Sequence, residues 1–111
     1  MQISIYSKDL KEWRGNTLIL GVLEGNIDSL LKILQQSNYI EGIGEEIKEK
    51  SFKGKKGEIK KLQIYEKNEI RTIIVLGLGK AEELKLEGIR NSIAVAKALA
   101  VTNKLDLYGF N

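Results

Sequence analysis

The stretch RTIIVLGLGKAEEL, residues 71–84, joins an apolar run to two glycines, a lysine and two acidic residues. The consecutive apolar residues at 73–76 are typical of a strand that is covered on both faces of a sheet. We therefore predict a strand over residues 72–77 and a helix over residues 82–103, where apolar residues recur at helical spacing. A buried strand that leads into a helix is typical of α/β proteins.

The patterns on either side of this stretch predict further strands and helices. Ile3 and Ile5 alternate with polar residues, which indicates a strand near a sheet edge, whereas residues 17–25 are apolar on both alternating sets, which indicates a central strand. Asp28 is a favourable N-cap for a helix over residues 29–36. We also predict a short helical turn over 44–50 and a strand over 105–110. A further strand is predicted over 58–67, and a turn at Asn68 and Glu69 would let it pair antiparallel with the strand over 72–77.

Strands that alternate with helices predict an α/β fold in three layers. In this α/β/α arrangement a mixed sheet carries helices on both of its faces. A chain of 111 residues fits one domain, so we expect residues 1–111 to form a single domain. We expect that domain to be incomplete or truncated, because no helix follows the last predicted strand.

The composition excludes several kinds of site. The chain has no cysteine and no histidine, which removes disulfides, thiolate sites, imidazole bases and the commonest metal ligand. Its 18 basic and 15 acidic residues give a net charge of +3, too small to require a nucleic-acid partner. No apolar run approaches the roughly 20 residues that cross a bilayer, and the first residues lack the order of a secretory signal. We therefore expect a cytoplasmic protein without membrane contact.

Gly77, Gly79 and Lys80 are the candidates for an anion-facing loop, because ligands of α/β proteins bind beyond the carboxyl ends of strands. Two nucleotide-binding patterns fail here: a dinucleotide fingerprint needs glycine where the chain has Glu82, and a phosphate loop needs Ser or Thr where it has Ala81. The favoured interpretation is structural. Both glycines would supply backbone conformations, including positive φ, that turn the strand into the helix.

The densest basic stretch, residues 52–61, allows a phosphate or nucleic-acid interaction. Acidic residues precede it, and it lacks the interleaved aromatic and arginine residues that single-strand binders use for stacking, so a solvated loop is favoured. Trp13 and Tyr39 are candidates for an interface, or cover the rim of a small core. The carboxylates show no spacing that indicates a metal cage or an acid–base pair, so the sequence identifies no catalytic and no metal-binding residue.

The order of motifs resembles the N-terminal domain of the leucyl aminopeptidase family, also called the cytosol aminopeptidases. The resemblance spans about residues 17–110 and rests on three features. A Phe-x-Gly-Lys-x-Gly-Glu segment occupies residues 52–58, an apolar strand begins at Arg71 and ends in Gly-Leu-Gly at 77–79, and an alanine-rich helix follows. Each motif is common alone, but their order and spacing are specific.

This resemblance implies a macro-domain-like fold without catalytic residues. In the family, a separate C-terminal domain holds two divalent metals, zinc or manganese, and releases N-terminal residues from peptides. The resemblance therefore implies that the partners of this region are its own C-terminal catalytic domain and the other subunits of a homo-hexamer. The Asn-Thr-Asp-Ala-Glu-Gly-Arg signature of the catalytic domain has no counterpart in the 111 residues.

The sequence alone is compatible with two other functions. A stand-alone macro-like module would bind ADP-ribose or another phosphate ligand near Gly77 and Lys80, a hypothesis that rests on fold analogy. A nucleic-acid-binding module would use the lysines of residues 53–61, and ranks third.

Overall fold

Five strands form one mixed sheet in a computed structural model that describes residues 2–35, 52–66, 69–99 and 104–108. Two helices and two short 3-10 turns, Leu10–Glu12 and Ala81–Glu83, connect or flank these strands. In chain order the elements are β1 (Gln2–Ile5), β2 (Thr17–Leu23), α1 (Ile27–Gln35), β3 (Ile59–Glu66), β4 (Glu69–Gly79), α2 (Leu86–Leu99) and β5 (Lys104–Tyr108).

The strands lie in the order β1-β5-β2-β4-β3. All neighbours are parallel except β3 and β4, which pair antiparallel with Glu66 opposite Glu69. The predicted positions of β1 at an edge and β2 at the centre are confirmed, and so is the antiparallel pair. The predicted turn residue Asn68 lies outside the described residues, as do the predicted helical turn 44–50, Tyr39 and the end of the last predicted strand.

The sheet separates two apolar clusters, because alternate side chains of its strands point to opposite faces. On one face, residues of β2 and β4 pack with Leu30 of α1, and the cluster also contains Leu10, Trp13 and Phe52. On the other face, residues of β2, β4 and β5 pack with Ile93 of α2. Helices therefore cover both faces, and the predicted three-layer α/β/α arrangement is confirmed.

The predicted N-cap of the first helix was wrong. Helix α1 begins at Ile27, so Asp28 lies in its first turn, where a carboxylate interacts favourably with the helix dipole. The reason is a tight turn after β2: the Asn26 N–H donates to the Leu23 carbonyl at 3.0 Å, and Gly25 has a φ of 92°. Because of this turn, the helix begins two residues earlier than the predicted start at residue 29.

The boundary between β4 and the following helix also differs from the prediction. Strand β4 continues through Gly79, and the 3-10 turn Ala81–Glu83 precedes a helix that begins only at Leu86. Leu84 has extended backbone angles, which separates the turn from α2. Leu86, predicted to lie on the apolar stripe, is 63% exposed because it stands at the first position of the helix.

Candidate functional site

The segment of residues 52–58, which we call the glycine-lysine loop, lies against the carboxyl end of β4. Phe52 anchors the start of the loop, since its side chain is buried in the cluster on the α1 face of the sheet. The other end of the loop leads directly into β3, the antiparallel neighbour of β4. The two glycine motifs of the sequence therefore meet in space.

Backbone hydrogen bonds join the glycine-lysine loop to the glycines of β4. The Gly79 N–H donates to the Gly54 carbonyl at 2.9 Å, and the Gly77 N–H donates to the Glu58 carbonyl at 2.8 Å. The Gly79 carbonyl in turn accepts from the Glu24 N–H at 2.8 Å, which ties in the end of β2. The N–H groups of both glycines thus already donate to backbone carbonyl groups of the protein.

A carboxylate occupies the inner side of the glycine-lysine loop. Glu58 Oε1 accepts from the Lys55 N–H at 2.7 Å and from the Lys53 N–H at 3.3 Å. Backbone amides that converge in a loop form a favourable place for an anion. In this loop, the side chain of Glu58 supplies that anion.

The two glycines of β4 are required for different reasons. A Cβ at Gly77 would clash with the Lys55 carbonyl oxygen and would lie 2.8 Å from the Gly54 carbonyl carbon, so only glycine permits this approach of two backbones. Gly79 instead has a φ of 82°, a conformation that residues with a Cβ rarely adopt. The prediction of positive φ is confirmed for Gly79 and wrong for Gly77, whose place is fixed by close packing.

An open cavity of about 430 Å³ lies beside the loop, between Lys56 and the start of α2. Leu78, which is 7% exposed, and Leu84 contribute its apolar lining. Its charged lining consists of two lysines and three glutamates, namely Lys56, Lys85, Glu82, Glu83 and Glu87. The acidic excess does not favour a phosphate ligand in this cavity.

The structure brings Gly77 and Gly79 together at the loop but leaves the Lys80 side chain exposed at the end of the strand. Lys53, Lys55 and Lys56 are exposed as well, although the backbone of their loop is fixed by the hydrogen bonds to β4. The exposed lysine side chains agree with the predicted solvated loop, but the loop backbone is packed against the sheet. The anion-facing function of Gly77, Gly79 and Lys80 stays a prediction.

A second polar cluster, centred on Trp13, was missed by sequence reasoning. Trp13 is 1% exposed, so both predictions for it, an interface and a core rim, were wrong. Its Nε1–H donates to Asp106 Oδ2 at 2.9 Å, and the Arg71 guanidinium carbon lies 4.2 Å from its ring centroid. Arg71 also donates to the Trp13 carbonyl at 2.8 Å and to the Gly15 carbonyl at 2.9 Å.

This cluster fastens the amino end of β4 to the segment before β2 and to β5. The signal in the sequence was Arg71 itself, a charged residue at the start of a run whose other members are buried. A buried guanidinium needs acceptors for its donors, which points to nearby carbonyl groups. No pattern in the sequence indicates that those acceptors belong to Trp13 and Gly15.

Comparison with known proteins places this arrangement in a family. Residues 19–108 match the family model described as the cytosol aminopeptidase family, N-terminal domain. The chain belongs to the cytosol aminopeptidase family. The match covers the glycine-lysine loop, Arg71 and the glycines of β4, so the resemblance predicted from those motifs is confirmed.

Curated relatives support the same assignment. A probable cytosol aminopeptidase of Prochlorococcus marinus is 36% identical over 104 residues, which is 94% of this chain and 21% of the relative. A probable cytosol aminopeptidase of a Cyanothece species is 34% identical over 105 residues, again 94% of this chain and 21% of the relative. The chain therefore spans about a fifth of the length of these cytosol aminopeptidases.

A solved structure of a tomato leucine aminopeptidase variant has the same fold. It superposes with a TM-score of 0.71 at 14% sequence identity, over all of this chain and 33% of the tomato chain. Within the described ranges, no helix combines the length and the apolar character that a membrane crossing demands.

Proposed function

We propose that residues 1–111 form a single non-catalytic N-terminal domain that supports the folding and assembly of an aminopeptidase. The support is the family match to an N-terminal domain, together with the fifth of the relatives' length that the chain spans. The domain would present a rigid sheet-and-helix body to its partners, its own C-terminal catalytic domain and the other subunits of a hexamer. The cytoplasm is the proposed location, in keeping with the names of the relatives.

The observation that carries the proposal is that the backbone N–H groups of the family motif form hydrogen bonds within the protein. The amides of Gly77 and Gly79 donate to the glycine-lysine loop, and the loop amides of Lys53 and Lys55 donate to Glu58. Backbone groups that already have partners gain little from a ligand, because each new bond replaces an existing one. The motif thus serves to hold the end of β4 in place.

The metal chemistry of the whole protein is proposed to belong to the catalytic domain. In the ranges that the structure describes, no three acidic side chains lie close enough together to hold a metal ion. The described side chains therefore do not fit a two-metal centre, and we assign none of them to it. The two divalent ions, zinc or manganese, would supply Lewis-acid activation of the peptide bond in the other domain.

An activity assay of the purified chain tests this proposal. We expect no hydrolysis of leucine p-nitroanilide above a protein-free blank with added manganese or zinc. In a second assay, the chain replaces the corresponding segment of the Prochlorococcus marinus relative, with the relative lacking that segment as the control. We expect the chimera to hydrolyse the substrate and the shortened relative to lose activity. Turnover by the isolated chain, or full activity of the shortened relative, would contradict the proposal.

A further inference from the structure

The two edges of the sheet differ in their protection against pairing with another strand. Strand β3, at one edge, contains Lys60 and Lys61, whereas β1, at the other edge, contains no charged residue over Gln2–Ile5. Charged side chains on an edge strand oppose the addition of a further strand. The β1 edge lacks this protection.

The direction of the β1 hydrogen bonds follows from its register. Ser4 lies opposite Asp106 in the parallel pair with β5, and the Tyr6 N–H donates to the Leu107 carbonyl at 2.8 Å. Because backbone groups alternate in direction along a strand, Ser4 also directs its N–H and C=O towards β5. Ile3 and Ile5 therefore direct theirs away from the sheet.

The side chains of Ile3 and Ile5 extend an apolar layer beyond the edge of the sheet. They pair in register with Leu105 and Leu107, which are buried in the cluster on the α2 face. Ile3 is 39% exposed and Ile5 is 57% exposed. Outward backbone groups and exposed apolar side chains thus coincide on the same two residues.

We propose that β1 pairs antiparallel with β1 of a second copy of this chain, about a two-fold axis through Ser4. A closed two-fold interface requires a self-complementary patch. The Ile-Ser-Ile sequence provides it, since Ile3 of each copy lies opposite Ile5 of the other and Ser4 lies opposite Ser4. The two Ile3–Ile5 pairs exchange their outward N–H and C=O groups, and four isoleucines meet on one face.

The absence of charge within β1 favours a copy of the same chain as the partner. Self-pairing of a charged strand brings like charges together across the axis, which is destabilising, whereas Gln2–Ile5 brings none. Two four-residue strands bury less than the roughly 1,000 Å² of a stable specific interface. The dimer is therefore weak and forms reversibly as the concentration rises.

Sedimentation velocity over a wide range of protein concentrations tests the dimer. We expect the weight-average sedimentation coefficient of the wild-type chain to rise with concentration. Ile5→Lys places a charge beside the axis and should weaken association at least about tenfold. The matched control is Ile70→Lys, an isoleucine that is 48% exposed on β4, and it should associate like the wild type.

Two further variants test the geometry. Ile5→Pro removes only an outward N–H, which an edge strand tolerates, so it should abolish the dimer while circular dichroism stays unchanged. Ser4→Cys gives a chain with a single cysteine, and opposite residues of a non-hydrogen-bonded pair lie close enough for a disulfide. We expect oxidation to cross-link Ser4→Cys in the wild-type background and not in combination with Ile5→Pro.

A sedimentation coefficient that does not change with concentration would overturn the proposal. The partner of the β1 edge would then be an extended segment of another protein. Equal association of Ile5→Lys and the wild type would also overturn it, because the dimer would then use another surface.

Discussion

At the scale of single residues, the two glycines of β4 show how one residue type meets two different requirements. Gly79 needs a positive φ, and this requirement could be predicted from the local pattern of a strand that ends in Gly-Leu-Gly. Gly77 needs the absence of a Cβ because the Gly54 and Lys55 backbone lies against it. That contact joins segments far apart in the chain, so local sequence could not predict it.

Arg71 is the residue for which we predict a large effect on stability. Arg71→Met keeps the apolar stem but removes the donors to the Trp13 and Gly15 carbonyls, and it removes the cation above the indole ring. Loss of these charged hydrogen bonds should lower the free energy of unfolding by about 2–3 kcal/mol. Urea denaturation followed by tryptophan fluorescence measures it.

The control for this prediction is Arg90→Met, at an exposed position of α2. It should change the free energy of unfolding by less than about 0.5 kcal/mol, as is usual for surface substitutions. Equal effects of the two substitutions would mean that the contacts of Arg71 contribute no more to stability than an exposed arginine does.

At the scale of secondary structure elements, long apolar runs were the most reliable guide. The central position of β2 and the pairing of β3 with β4 followed from apolar and alternating patterns, because burial on one or both faces fixes those patterns. The start of α2 could not be predicted in the same way. Residues 82–85 combine helix-favouring glutamates with a leucine at helical spacing, and periodicity does not distinguish a 3-10 turn from the first turn of an α-helix.

The observed start of α2 leads to a prediction about its N-cap. Lys85 precedes Leu86 and stands at the N-cap, where its cation opposes the helix dipole and its side chain has no acceptor for the free N–H groups. Lys85→Ser should therefore raise the free energy of unfolding by about 0.5–1 kcal/mol. Lys8→Ser, an exposed lysine outside the helices, is the control and should leave it nearly unchanged.

Urea denaturation of both lysine variants measures the difference. If Lys85→Ser were no more stable than Lys8→Ser, the helix would begin elsewhere, for example at residue 82 as the sequence pattern indicates.

At the scale of the whole molecule, the fold class and the family could be predicted from the sequence. The contacts between distant segments of the chain could not. The three-layer arrangement follows from alternating strands and helices, and the family follows from the order of its motifs. The Trp13 cluster depends on three separate segments that meet only in the folded chain. The conformation of the glycine-lysine loop likewise depends on β4, to which its backbone is hydrogen-bonded.

The glycine motifs of the family hold the fold together at the carboxyl end of β4, through the hydrogen bonds of Gly77 and Gly79 to the glycine-lysine loop. Gly77→Ala tests this claim most directly, with Gly88→Ala as the control, since a Cβ at Gly88 has open space in α2. Unfolding free energies are measured in urea, and calorimetric titration with ADP-ribose is run on the same proteins.

We predict that Gly77→Ala lowers the free energy of unfolding by about 2–3 kcal/mol through backbone overlap, whereas Gly88→Ala raises it by about 0.5–1 kcal/mol. We also predict no saturable ADP-ribose binding by the wild-type chain. The contradicting result is a Gly77→Ala protein as stable as the wild type, together with wild-type binding of ADP-ribose that this substitution abolishes.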